Sequence, residues 1–133
     1  MKYLLVAFIA ILVFACSQGG SYKKATDAQD AGREFIRASL DGDMKKAGFY
    51  LLRDSSNIYI FSKFREQYEK LPEAEKEAYR DAQIRPVKIE KVNDSLVNYL
   101  YTNSYKKEDT TMLRIVRQND EWLVDMTELS SKE

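Results

Sequence analysis

Four aromatic side chains in the C-terminal third have the spacing of a ligand-binding face: Tyr99, Tyr101, Tyr105 and Trp122. Alternate residues of a strand share one face. Aromatic bodies with a hydroxyl or indole N–H at the tip can line a pocket there and orient what it holds. The same pattern serves core and cross-strand packing equally well. Asp125 stands between Val124 and Met126; burial on such a strand would raise its pKa and make it a base, whereas exposure would leave it ordinary. Glu73, Glu75 and Glu77 alternate with Lys76 and Arg80, the pattern of a solvated helix face. Asp54, Ser55 and Ser56 read as a helix cap, since no base stands nearby to activate a serine.

Composition narrows the chemistry. The chain has no histidine, so a histidine base, a Ser-His-Asp triad and histidine metal ligands are excluded. Its single cysteine, Cys16, cannot close an internal disulfide, and a zinc site would need carboxylates alone. Basic and acidic residues balance at 21 each, which gives no electrostatic ground for binding nucleic acid. No cofactor motif is present, and no catalytic or metal-ligating residue is assigned.

The N-terminal stretch sets where the protein acts. Lys2 supplies one positive charge, and an unbroken apolar run then leads to Ala15 and Cys16. The run is far shorter than the roughly 20 residues that span a bilayer. Charge, apolar run and small residue are the layout of a secretory signal, and as residues alone they also fit an uncleaved anchor. The stretch resembles a bacterial lipoprotein signal, whose lipobox ends in a small residue and then cysteine. That resemblance implies that Cys16 carries diacylglycerol through a thioether, becomes the first residue of the mature chain and is acylated on its amine. A thiol readily gives the thioether, and Ala15 leaves room for the peptidase. Two or more acyl chains hold a membrane stably, at about 0.8 kcal/mol per buried methylene. Ser17 in place of an aspartate, with no acidic run after Cys16, implies by the same resemblance an outer-membrane address facing the periplasm.

The elements that must position the aromatics follow. The expected organisation is a signal over 1–15, a Gly- and Ser-containing tether over 16–25, one domain over 26–129 and a tail over 130–133. Thr26 and Gln29 fit a capping box, and Ala28, Ala31, Phe35, Ile36 and Leu40 recur at helical spacing. Gly42 suits the left-handed closing position and Asp43 the next cap. A short helix over 44–52 is expected to bury Met44, Ala47 and Leu51. A third over 58–71 is expected to bury Ile58, Phe61, Phe64 or Arg65, Tyr68 and Leu71. Pro72 then kinks that helix or opens a solvated one. From Ile84 the period becomes two, with Val87 and Ile89 inward. Turns at 92–95, 106–109 and 118–121 separate four strands, an antiparallel meander.

Helices before an antiparallel sheet make an α+β order. Three stretches together resemble the nuclear-transport-factor-like cone fold and its small bacterial lipoproteins: AGREFIRASLDGDMKKA at 31–47, the strand pair at 87–105, and RIVRQNDEWLVDM at 114–126. The resemblance implies a bent sheet wrapped over the helices and enclosing a pocket. Catalytic members, such as ketosteroid isomerases and polyketide cyclases, place an Asp base and Tyr or Asp donors there; no motif here carries those residues over. The expected function is a membrane-anchored, non-catalytic domain that binds a small apolar ligand or an envelope protein. The alternatives are an isomerase- or cyclase-like enzyme using Asp125, and an accessory subunit docked through the third helix.

Overall fold

The computed structural model describes residues 22–130. Cys16 and the expected signal over 1–15 lie outside the described residues.

The first helix, α1 (Ala28–Asp41), buries the stripe its spacing predicts: Ala28, Ala31, Phe35, Ile36 and Leu40. Its cap lies one residue beyond the expected capping box. Asp27 is the N-cap, and its Oδ1 accepts from the Asp30 N–H at 2.7 Å, while Thr26 N–H donates to Asp30 Oδ2. Aspartate satisfies an orphan helix donor and adds charge at the positive end of the helix dipole. Gly42 closes the helix at φ 76°, a conformation costly for residues with a Cβ; a Cβ here would also collide with the Tyr68 ring. Asp43 caps α2 (Met44–Phe49).

The helix α3 (Ser55–Glu69) starts at the Asp54 cap. Its inward side runs through Asn57, Phe61, Phe64 and Tyr68. Ile58, expected inside, is instead 57% exposed. The position it was expected to fill belongs to Asn57, which is fully buried. Pro72 opens a separate helix, α4 (Glu73–Asp81), as its fixed φ favours at a helix start. Arg37 of α1 secures the other end of α4. Its Nη1 donates to Ala82 O at 2.7 Å and its Nη2 to Arg80 O at 2.9 Å, and both Nε and Nη2 reach Asp41 Oδ1. The guanidinium therefore meets the negative end of the α4 dipole.

Four strands follow: β1 (Ile84–Asn93), β2 (Leu96–Asn103), β3 (Thr111–Gln118) and β4 (Glu121–Asp125). They form an open antiparallel sheet in the order β1-β2-β3-β4. The β3–β4 turn has Asn119 and Asp120 at φ 52° and 59°, as a two-residue hairpin with this strand twist requires. Residues 50–52 extend the sheet beyond β4: Val124 N–H donates to Tyr50 O at 2.7 Å and Leu52 N–H to Val124 O at 2.9 Å. At the other edge β1 is exposed along almost its whole length. Val87 and Ile89, expected inside, are 57% and 39% exposed. Register shifts fall at Val87 and Val92. Bulges, Pro86, Lys88 and Lys91 are devices that keep an edge strand from pairing with other chains.

The core lies between α1 and one sheet face, where Val97, Tyr99, Leu113, Ile115 and Val124 meet Ala31, Phe35 and Ala38. Gly32 lets the helix approach closely: a Cβ there would stand 2.8 Å from Ile115 Cδ1 and 3.4 Å from Tyr99 Cδ2. A last turn of helix, α5 (Thr127–Ser130), follows β4. At the start of the domain, residues 22–25, expected within the tether, lie against the body. The Tyr22 and Phe49 rings are 5.5 Å apart, and Tyr50 Oη donates to Lys23 O at 2.7 Å. The first fixed contacts therefore come before Thr26.

Candidate functional site

A cavity of about 390 Å³ opens beside the core. Phe35, Ile36, Ser39 and Leu40 of α1 form one wall; Phe64 and Tyr68 of α3, with Leu71 and Tyr79, form a second. The strand ends supply the third, through Tyr101 and Asn103 of β2, Thr111 and Leu113 of β3, and Met126. Each wall follows from periodicity. The α1 side chains continue its buried stripe one turn at a time. Tyr101 and Thr111 are direct cross-strand partners on the face that also carries Tyr99 and Leu113. The volume falls in the range of small-molecule sites, which are mostly apolar with a few polar groups that fix orientation.

Polar side chains are about as numerous as apolar ones in this wall, among them Ser39, Gln67, Asn103 and Thr111. Tyr101 has its hydroxyl deep in the wall: burial pushes its pKa up to about 12, against the pull of its Thr111 hydrogen bond and reinforced by Tyr99. It stays neutral at physiological pH and can both donate and accept a hydrogen bond. Burial likewise raises the Tyr79 hydroxyl, against the charge of Lys106. Among the described residues, Lys106 and Asp109 are the one cation and the one carboxylate in the wall.

The four aromatics of the sequence pattern do not converge. Tyr101 lines the cavity. Tyr99 is 1% exposed and is a core residue, packed on Gly32 with its ring 6.1 Å from that of Tyr101. Tyr105 lies past the end of β2 and is half exposed; its ring meets Tyr79 edge-on at 5.0 Å, so it supports the wall from outside. Trp122 lies at the opposite end of the sheet, in a shallow depression with Ala28 and Val97, its ring under the Arg117 guanidinium. Sequence alternation places side chains on a face but not at one end of it, which is why the grouping splits. The α1 and α3 residues of the cavity carry the same signal as core residues and were legible only as such.

Asp125 is outside the cavity wall. Its Oδ1 accepts from the Thr127 hydroxyl at 2.7 Å, the Thr127 N–H at 3.0 Å and Asn57 Nδ2 at 3.1 Å. Burial alone would raise this carboxyl, but the Thr127 and Asn57 donors and the charge of Arg114 outweigh it and hold the pKa below the usual range. A carboxylate so placed is a poor base and a good structural acceptor. Among the described residues no group of three or more acidic, cysteine or histidine side chains is arranged to hold a metal ion.

No protein-family model, curated protein or solved structure matches the chain.

Proposed function

We propose that the protein is a lipoprotein of the bacterial envelope, held at the outer membrane through lipid on Cys16, whose cone-like domain binds a small apolar ligand without catalysing a reaction. The carrying observation is the cavity: about 390 Å³, with an apolar part walled by Phe35, Leu40, Phe64, Leu113 and Met126 and a polar part that includes neutral Tyr101, Thr111, Asn103, Lys106 and Asp109. The address rests on the sequence of the first 17 residues. The cone reading rests on the α+β order and on the way helices and sheet together enclose that space. Among the described residues no helix is long and apolar enough to cross a membrane.

The ligand reading is tested by photolabelling the full chain with a short alkyl diazirine and mapping the adducts by peptide mass spectrometry. Adducts should concentrate on residues 64–71 and 101–113, and Ser39→Phe, which fills the cavity, should remove them. Adducts spread instead over exposed Ile58, Tyr59 and Val87 would contradict the reading. The address is tested by Cys16→Ser, which should release the chain from membranes and abolish acyl labelling; unchanged membrane association would contradict it.

One observation favours a second reading, an accessory subunit docked through α3: neighbouring Ile58 and Tyr59 are 57% and 64% exposed. Ile58→Glu should then release an envelope partner while alkyl labelling of the cavity stays as it was.

A further inference from the structure

The cavity wall carries a cation that an uncharged ligand would leave unused, with Asp109 in the same wall as its formal counter-charge. Lys106 is its one cation among the described residues. The residue is half-buried, and its Nζ stands 4.8 Å from the centroid of the Tyr105 ring. It makes no ion pair with any described carboxylate. Two other cations near the cavity are committed. Arg37 holds Asp41 and the end of α4, and Lys76 pairs with Glu73 and donates to Glu69 O. The ammonium rests on one ring, that of half-exposed Tyr105, and an anion brought to it at the edge of an apolar space gains more than it would in bulk water.

The backbone that carries Lys106 is fixed independently of any ligand. Asn103 Oδ1 accepts from the Lys106 N–H at 2.8 Å and from the Tyr105 N–H at 3.0 Å. On the other side Thr102 Oγ1 donates to Lys106 O at 2.8 Å. Tyr105 is braced on Tyr79, which itself lines the cavity. A lysine on a pinned loop gives up less entropy on binding than one on a loose loop.

Building on the apolar-ligand reading, we infer that Lys106 is a specificity-determining residue and that the ligand is a single-chain amphipath with a carboxylate head: tail among Phe35, Phe64 and Leu113, head at Lys106. One cation matches one negative charge. Asp109 in the same wall opposes any anion, and opposes a phosphate monoester, which brings nearly two charges, more strongly.

The test uses two photoprobes with the same alkyl diazirine tail, one ending in a carboxylate and one in the neutral primary amide. On the full chain the carboxylate probe should label residues 64–71 and 101–113 at about tenfold lower concentration, the ratio expected for one charge-assisted hydrogen bond. Lys106→Ala should bring that ratio close to one and leave amide labelling intact, Lys106→Arg should keep it, and Asp109→Asn should increase it. An unchanged ratio in Lys106→Ala would overturn the inference, as would equal labelling by both probes in the parent chain. In both of those cases the cavity would still be an alkyl site. Absence of cavity labelling by either probe would overturn the inference together with the binding function beneath it.

Discussion

Asn57 of α3 and Asp125 at the end of β4, 68 positions apart in the chain, are joined by a 3.1 Å hydrogen bond from Nδ2 to Oδ1. The same amide nitrogen donates to Asp54 Oδ1 at 3.1 Å, and Asn57 Oδ1 accepts from the Met126 N–H at 2.7 Å. One buried polar side chain thus ties the start of α3 to the residue that follows β4. Met126 is a cavity residue, so this tie also sets one side of the candidate site.

Asn57→Ala should destabilise the fold by about 2–3 kcal/mol, because it leaves the Met126 N–H buried without its acceptor and opens a void. Denaturant unfolding measures this. A loss within a few tenths of a kcal/mol would show that water replaces the amide at no cost.

Asp125 makes stability depend on acid. Its folded-state pKa lies below the unfolded value, so over that window the unfolded chain binds more protons. The stabilisation is fully present above the unfolded pKa, about 3.9, and disappears as pH falls through the folded value. Unfolding midpoints measured from pH 6 down to pH 2 should show a drop that Asp125→Asn makes shallower. Parallel curves for the two proteins would refute the assignment.

Gly32→Ala sets helix propensity against packing. Alanine gains up to about 1 kcal/mol in a helix interior, but its Cβ would meet fully buried Ile115 Cδ1 at 2.8 Å. Overpacking costs about 1–3 kcal/mol, so the variant should be less stable by about 1 kcal/mol. Ile115→Val removes the clashing methyl, and the double variant should be more stable than the sum of the two single changes predicts.

Arg37→Ala removes the donors that cover the end of α4. Because the side chain is partly exposed, the effect should be local: faster amide exchange over residues 75–82 with little change at β3. Arg37→Lys should not restore protection, since a lysine cannot reach Asp41, Arg80 and Ala82 together.

Local physics was legible in the sequence. The α1 stripe, the left-handed closure at Gly42, the Asp43 and Asp54 caps and the Asn119-Asp120 turn each depend on neighbours within a few positions, and each stands where the residues put it. Features set by distant partners were not. The facing of α3 is fixed by Asn57 meeting Met126 and Asp125, which its own apolar residues could not reveal; counting hydrophobics put Ile58 inside. Nothing in the residues around Arg37 marks its role, because the carbonyls it covers lie more than 40 residues away. Val87 and Ile89 alternate as a half-buried strand does, but β1 is an edge with two register shifts. For the candidate site, Tyr101 was identifiable from alternation, whereas the α1, α3 and α4 walls emerge only once those helices are brought together.

The central claim is that the space beside Tyr101 receives an alkyl chain. Of the methionines within the described residues, Met126 lines that space, while Met44 and Met112 do not. Methyl NMR of methionine-labelled full chain, titrated with a medium-chain fatty acid, reads this directly. The Met126 methyl should shift progressively to saturation with Met44 and Met112 unmoved; a stationary Met126, or equal movement of all three, would contradict the account.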